Sequence, residues 1–213
     1  TEPHPVHTAV FGTRVMAIAE QMGERLRRLA RSVSIRERQD FSTALFDARG
    51  SLVANAPHVP VHLGAMGATV RDLIQRHGSR LQPGQAWASN DPYAGGSHLP
   101  DITVTRPVFV DGALVGLVAC RGHHIDVGGT RPGSMPVDAV HIDEEGLQLK
   151  QVQLAEEGRF MPPELAGCRQ PEEVLADLEA QVAACEAGAR GVQALIAQLG
   201  VAVYQAQLGH LLD

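Results

Sequence analysis

Cysteine is scarce in this chain. Cys120, Cys168 and Cys185 are the three among 213 residues, widely spaced and without a C-x-x-C, which excludes a disulfide framework and a thiolate zinc knuckle. A reducing, cytoplasmic setting is the expectation that follows. Long apolar runs are also missing. No segment nears the roughly 20 apolar residues that a bilayer-spanning helix requires, and the start, Thr1-Glu2-Pro3-His4, lacks the basic-then-apolar layout of a signal peptide, so no membrane association is expected. Positive charge is in deficit: 18 Lys and Arg against 24 Asp and Glu leave a net charge of -6. That is the wrong sign for a phosphate-binding surface, so no nucleic-acid partner is expected. The cluster of Arg25, Arg27, Arg28 and Arg31 shares its stretch with Glu20 and Glu24 and reads as a solvated mixed-charge face. There is no P-loop and no G-x-G-x-x-G, which excludes a recognisable nucleotide site. Neither Ser97 nor Ser134 sits in G-x-S-x-G, so a serine-hydrolase reading is weak.

What the chain does have is an ordinary globular balance, 44% hydrophobic and 20% charged, with 10 histidines. Val15, Ile18, Met22, Leu26 and Leu29 recur at three- and four-residue steps and predict a helix over about residues 6–31. Ser34-Ile35-Arg36-Glu37 has the spelling of a capping box. Residues 40–47 and 51–55, joined through Gly50, predict a β-hairpin closed by Pro57 and Pro60. A second helix is predicted from about Leu63 to Arg76, with Gly78 at its end. Residues 102–110 and 114–120 predict a second hairpin about Asp111-Gly112, a strong turn signal. From Pro171 the chain is helical to Gly200, with Gly188 and Gly191 as possible interruptions, and a last helix follows over residues 201–212. The fold class expected is α/β in the mixed α+β sense: a β-hairpin-rich sheet with packed helices and a helical C-terminal segment. Residues 1–165 form the mixed region in this reading and residues 166–213 the helical one.

The densest chemistry lies at the two outer ends of the second hairpin. One arm enters through residues 90–101, with Asn90, Gly95, Gly96, Ser97, His98 and Asp101. The other leaves through residues 121–129, with Arg121, His123, His124, Asp126, Gly128 and Gly129. A two-residue loop sets Pro100 opposite His123 and Asp101 opposite Gly122. A three-residue loop ending on Gly112 sets His98 opposite His124. Opposed residues lie about 4.5–5.5 Å apart, so either register brings His98, Asp101, His123 and His124 to one end of the sheet. Imidazoles plus a carboxylate can hold a divalent metal while leaving positions open for water or substrate. Asp126 is placed to orient a histidine. The flanking glycines let backbone approach a ligand closely. His58 and His62 form H-x-x-x-H about Pro60, which argues for a turn entering the second helix rather than a helix interior; they can line the same cleft. The candidate substrate-binding set is therefore His58, His62, Asn90, Gly95, Gly96, Arg121, Gly128 and Gly129.

Over residues 34–42, 55–66, 95–101 and 121–136, and again over 177–184 and 205–210, the sequence resembles the hydantoinase B/oxoprolinase family, most closely the B-type part of ATP-dependent 5-oxoprolinases. The resemblance implies a component that opens a cyclic amide such as 5-oxoproline or a hydantoin, with a place in glutathione metabolism. It implies an A-type partner that uses ATP and Mg to phosphorylate the carbonyl oxygen, and assembly as an oligomer. It also implies a divalent transition metal (Zn, Mn or Fe) held by H-x-x-D and a later histidine: His98, Asp101 and His123 here, with His124 as the nearby alternative. His124 or Asp126 then serves as catalytic base or orienter. B-type halves are usually much longer, so the resemblance covers an N-terminal portion, and Glu179 and Cys185 stand where the family tends to have Arg and Asn. Two alternatives stay open: a ketone-carboxylase type of B subunit, and a truncated assembly module without catalysis.

Overall fold

The computed structural model describes residues 5–56 and 59–212. Its centre is a seven-stranded sheet in which every neighbouring pair is antiparallel. The strands are β1 (Phe41–Phe46), β2 (Leu52–Asn55), β3 (Ala86–Ser89), β4 (Asp101–Val110), β5 (Ala113–His123), β6 (Val152–Glu156) and β7 (Arg159–Phe160), in spatial order β2-β1-β5-β4-β3-β6-β7. The helices are α1 (Pro5–Leu29), the single turn α2 (Val33–Arg36), α3 (Pro60–His77), α4 (Pro171–Leu199) and α5 (Val201–Leu212). The mixed α+β class, both expected hairpins and the helical C-terminal stretch are present.

Strand alternation divides the core in two. Leu45, Ile102, Val104, Val118 and Cys120 face α1 and α4 in the larger cluster, with Val15, Ile18, Met22, Leu26, Leu178 and Cys185. Ala44, Phe46, Leu117 and Ala119 face the other way, against Met66, Val70 and Leu73 of α3 and Trp87 of β3. Each fully buried side chain of the size of Leu or Met contributes about 1.5–3 kcal/mol, so each face of the sheet carries enough apolar contact to hold its helix. Leu29, placed on the buried stripe of α1 by its spacing, is 43% exposed because the helix ends there.

Three local readings change. The cap of α2 is Ser32, whose side chain accepts from Ile35 N; Ser34 lies inside the turn, and its hydroxyl donates to His123 O. α3 begins at Pro60 rather than near Leu63, with proline in the first turn, where its missing N–H costs nothing. Gly188 and Gly191 do not interrupt α4. They let α1 approach: a Cβ on Gly188 would overlap Met22, and one on Gly191 would lie 3.0 Å from Ile18 Cγ2. Strands β3, β6 and β7 were not legible from the sequence. β3 is four residues long and buried throughout, so it carries no alternation. The β6–β7 turn, at Glu157-Gly158, has positive φ at both positions. Among the described residues, no helix is long and apolar enough to cross a membrane.

Candidate metal centre

The turn of the β4–β5 hairpin is Asp111-Gly112, with φ of 51° and 76°, the positive pair that suits a twisted two-residue loop. Val110 pairs Ala113 and Phe109 pairs Leu114, but Val108 pairs Gly116, which leaves Val115 as a bulge. That one extra residue moves the outer register by one step. Asp101 therefore stands opposite His123, and neither simple register proposed from the sequence holds. The consequence is chemical: two metal-capable side chains become a directly opposed pair on the α3 face of the sheet, with Thr103 opposite Arg121 one pleat further in.

Asp101 is the hub. It is 2% exposed, and its two oxygens serve two different imidazoles: Oδ1 lies 3.0 Å from His123 Nδ1, and Oδ2 lies 3.0 Å from His98 Nδ1. His98 arrives from the preceding loop, its ring centroid 5.1 Å from that of His123. The two rings are more open than the carboxylate, with side chains 33% and 21% exposed. Ser97 Oγ also donates to Asp101 Oδ2 in a short bond. The Asp101 carboxylate beside it raises the pKa of His123, against the opposing effect of burial. One donor atom from each of His98, Asp101 and His123 falls within 4.8 Å of the others. Two imidazole nitrogens and one carboxylate oxygen, converging at the surface with the carboxylate seated below, suit a divalent transition ion and leave coordination positions toward solvent.

The other candidate residues are placed differently. His124 follows His123 on the strand path, and its ring turns to the α4 face, where Nε2 lies 2.9 Å from Gln181 Oε1. Burial pushes its pKa down, so it is a neutral, enclosed group pointing away from Asp101. Asp126 accepts from Gly128 N at 2.8 Å and Gly133 N at 2.9 Å, and it pairs with Arg169 at 3.0 Å. These bonds staple the loop after β5. Asn90 is fully buried; its amide donates to Leu99 O and Leu147 O and its oxygen accepts from Leu149 N. A Cβ on Gly95 would sit 2.5 Å from Thr69 N, one on Gly96 2.6 Å from Asn90 O, and one on Gly129 2.5 Å from Glu144 O. Gly128 is closed off in the same way by Gly167 O at 2.8 Å. The protein's own backbone thus occupies the space these glycines leave. Arg121 is 0% exposed, with its bonds to Thr103, Thr69 and Gly95 O. Asn90, Gly95, Gly96, Arg121, Gly128 and Gly129 thus all make close contacts that brace the scaffold, and Arg121 Nη1 is left without a partner among the described residues. His58 lies outside the described residues, and of His62 only its place in the first turn of α3 is described.

Sequence reasoning missed Ser97 as a partner of Asp101, having weighed it only as a nucleophile, and missed Gln181, Thr69, Thr103 and Arg169. Ser97 had a signal, the tight Gly95-Gly96 approach that turns the loop back on itself. The others are contacts across elements, which no local pattern encodes.

The hydantoinase B/oxoprolinase family model matches residues 4–213. The chain is 46% identical to 5-oxoprolinase 1 of Arabidopsis thaliana, over 97% of its own length and 18% of that protein's. Among solved structures it is similar to the ATP-dependent caprolactamase of Pseudomonas jessenii, with 28% identity and a TM-score of 0.89, covering 99% of this chain and 37% of that one. An acetone carboxylase shares the fold at a TM-score of 0.88 and 22% identity, covering 99% of this chain and 28% of that one. The chain thus spans less than a fifth of the length of this plant relative. With a family model running through α1, the loop and hairpin that carry His98, Asp101 and His123, and the late helices, the chain belongs to the hydantoinase B/oxoprolinase family.

Proposed function

We propose that this chain supplies the metal-bearing site of a hydrolase that opens a cyclic amide, 5-oxoproline or a hydantoin-like ring, after an A-type partner has activated the ring carbonyl with ATP. The observation that carries the reading is the convergence of His98, Asp101 and His123 on the outer end of the β4–β5 hairpin. When bound there, a divalent ion (Zn, Mn or Fe) supplies Lewis-acid polarisation of a carbonyl and activation of water. His98, Asp101 and His123 hold it. Ser97 donates to Asp101 Oδ2 and leaves the other oxygen directed at His123. The partly exposed rings of His98 and His123 border the side from which substrate arrives, while the buried Asp101 anchors the cluster from beneath. Support for a lactam over a ketone comes from the caprolactamase neighbour, at 28% identity, and from the plant 5-oxoprolinase, at 46%.

The test has two arms. The 213-residue chain should bind one equivalent of divalent transition metal, and His98→Ala and Asp101→Ala should each lose it. In an assembly with the ATP-using half and the remaining length of the relatives, the same two substitutions should abolish lactam opening. A well-folded, untreated chain that neither carries nor takes up metal sinks the reading. Carboxylation of a ketone with bicarbonate and ATP, in place of lactam opening, would redirect it to the acetone carboxylase chemistry. Equal lactam opening with and without this chain would leave it an assembly module.

A further inference from the structure

Arg121 is the largest fully buried side chain of the described residues, on the β5 strand two residues before His123. Burying a guanidinium is costly unless its donors are used. Nε donates to Thr103 Oγ1 at 2.7 Å, and Nη2 donates to Gly95 O at 2.7 Å and to Thr69 Oγ1 at 3.3 Å. Nη1 has no partner among the described residues. An apolar side chain here would avoid that cost, so packing alone does not account for an arginine at this place.

The positions of its partners do. Thr103 lies two residues after Asp101 on the same face of β4. Arg121 itself lies two residues before His123 on the same face of β5. Gly95 lies three residues before His98 in the loop. Each of three anchors is thus a short, stiff step from one of the three metal-capable residues, and Thr69 ties the set to α3. Gly95 has φ of +89° and no room for a Cβ against α3, so the loop passes the guanidinium in one orientation. The guanidinium holds its donors in a rigid, spread fork, whereas the three donors of a lysine rotate about a single nitrogen and do not reach anchors so far apart with fixed geometry.

We propose that Arg121 is the positioning residue of this cluster: it clamps β4, β5 and the 95–98 loop so that His98, Asp101 and His123 converge on one cation. This rests on the metal reading above. The experiment uses the 213-residue chain, with zinc affinity and stoichiometry read by chelator competition, the visible spectrum of the cobalt-substituted chain, and Tm. Arg121→Lys and Arg121→Met should bind zinc about 10–100-fold more weakly, the scale for loss of a residue that orients ligands, with an altered cobalt spectrum. Thr69→Val and Thr103→Val each remove one anchor and should weaken zinc several-fold; they decide the matter if the arginine variants do not fold. Thr43→Val, which removes a buried hydroxyl bonded to Ala19 O on the opposite face of the sheet, should lower Tm without changing zinc affinity. Wild-type zinc affinity in the Arg121 or threonine variants, with only Tm lowered, overturns the proposal and leaves the metal reading standing. A wild-type chain that binds no zinc, cobalt or other divalent transition ion overturns both.

Discussion

Asp126 shows how a carboxylate becomes a structural staple. Burial alone would raise its pKa, but the Gly133 and Gly128 N–H groups and Arg169 outweigh burial and hold it below the ordinary carboxylate range. A carboxyl lowered on folding contributes stability that is present above its unfolded pKa, about 4, and is lost as pH falls through the lower folded value. The Tm of the wild-type chain should therefore drop more steeply below about pH 4 than that of Asp126→Asn. Parallel Tm–pH curves for the two would disprove the staple. Arg169→Ala leaves the carboxylate two backbone donors and should cost about 1–3 kcal/mol in chemical denaturation. Ser97 makes the complementary point. Its type suggested a nucleophile, while its place makes it a donor to Asp101.

At the scale of elements, the β4–β5 bulge and the α1–α4 contact carry the most consequence. Glycine in a helix reads locally as weakness, since it disfavours helix by about 1 kcal/mol against alanine. In α4 it permits close packing: Gly188 and Gly191 sit against Met22 and Ile18 of α1. Gly188→Val should then destabilise the chain by about 1–3 kcal/mol through overpacking. Gly209→Ala on α5, where an added Cβ meets nothing within 4 Å, should be neutral or slightly stabilising. Urea midpoints for the two variants check this, and a neutral Gly188→Val would refute the packing argument. The bulge at Val115 is the other case. The turn was readable in Asp111-Gly112, but the register at the far end of the ribbon was not, because one unpaired residue shifts every later pair.

For the molecule as a whole, the candidate ligands come from two backbone-paired strands and the loop that enters them, so a cation there cross-links one end of the sheet to its entry loop. A ligand that binds the folded chain alone stabilises it by RT ln(1 + [L]/Kd), about 2.7 kcal/mol at a hundredfold excess over Kd. Zinc should raise the Tm of the wild-type chain, a chelator should reverse the rise, and Asp101→Ala should show neither effect; an equal rise in Asp101→Ala would place the ion elsewhere. Sequence by itself determined the amphipathic helices, the two hairpins and the short list of His98, Asp101, His123 and His124, because helical and strand periodicity, turn residues and ligand spacing are local properties of a chain. Tertiary structure decided which of the adjacent histidines stands beside Asp101, the bond from Ser97, and the contacts made by Arg121, His124, Asp126, Asn90 and the paired glycines. Those outcomes depend on a one-residue bulge and on which face packs against α3 or α4, and both arise from contacts between residues far apart in the chain.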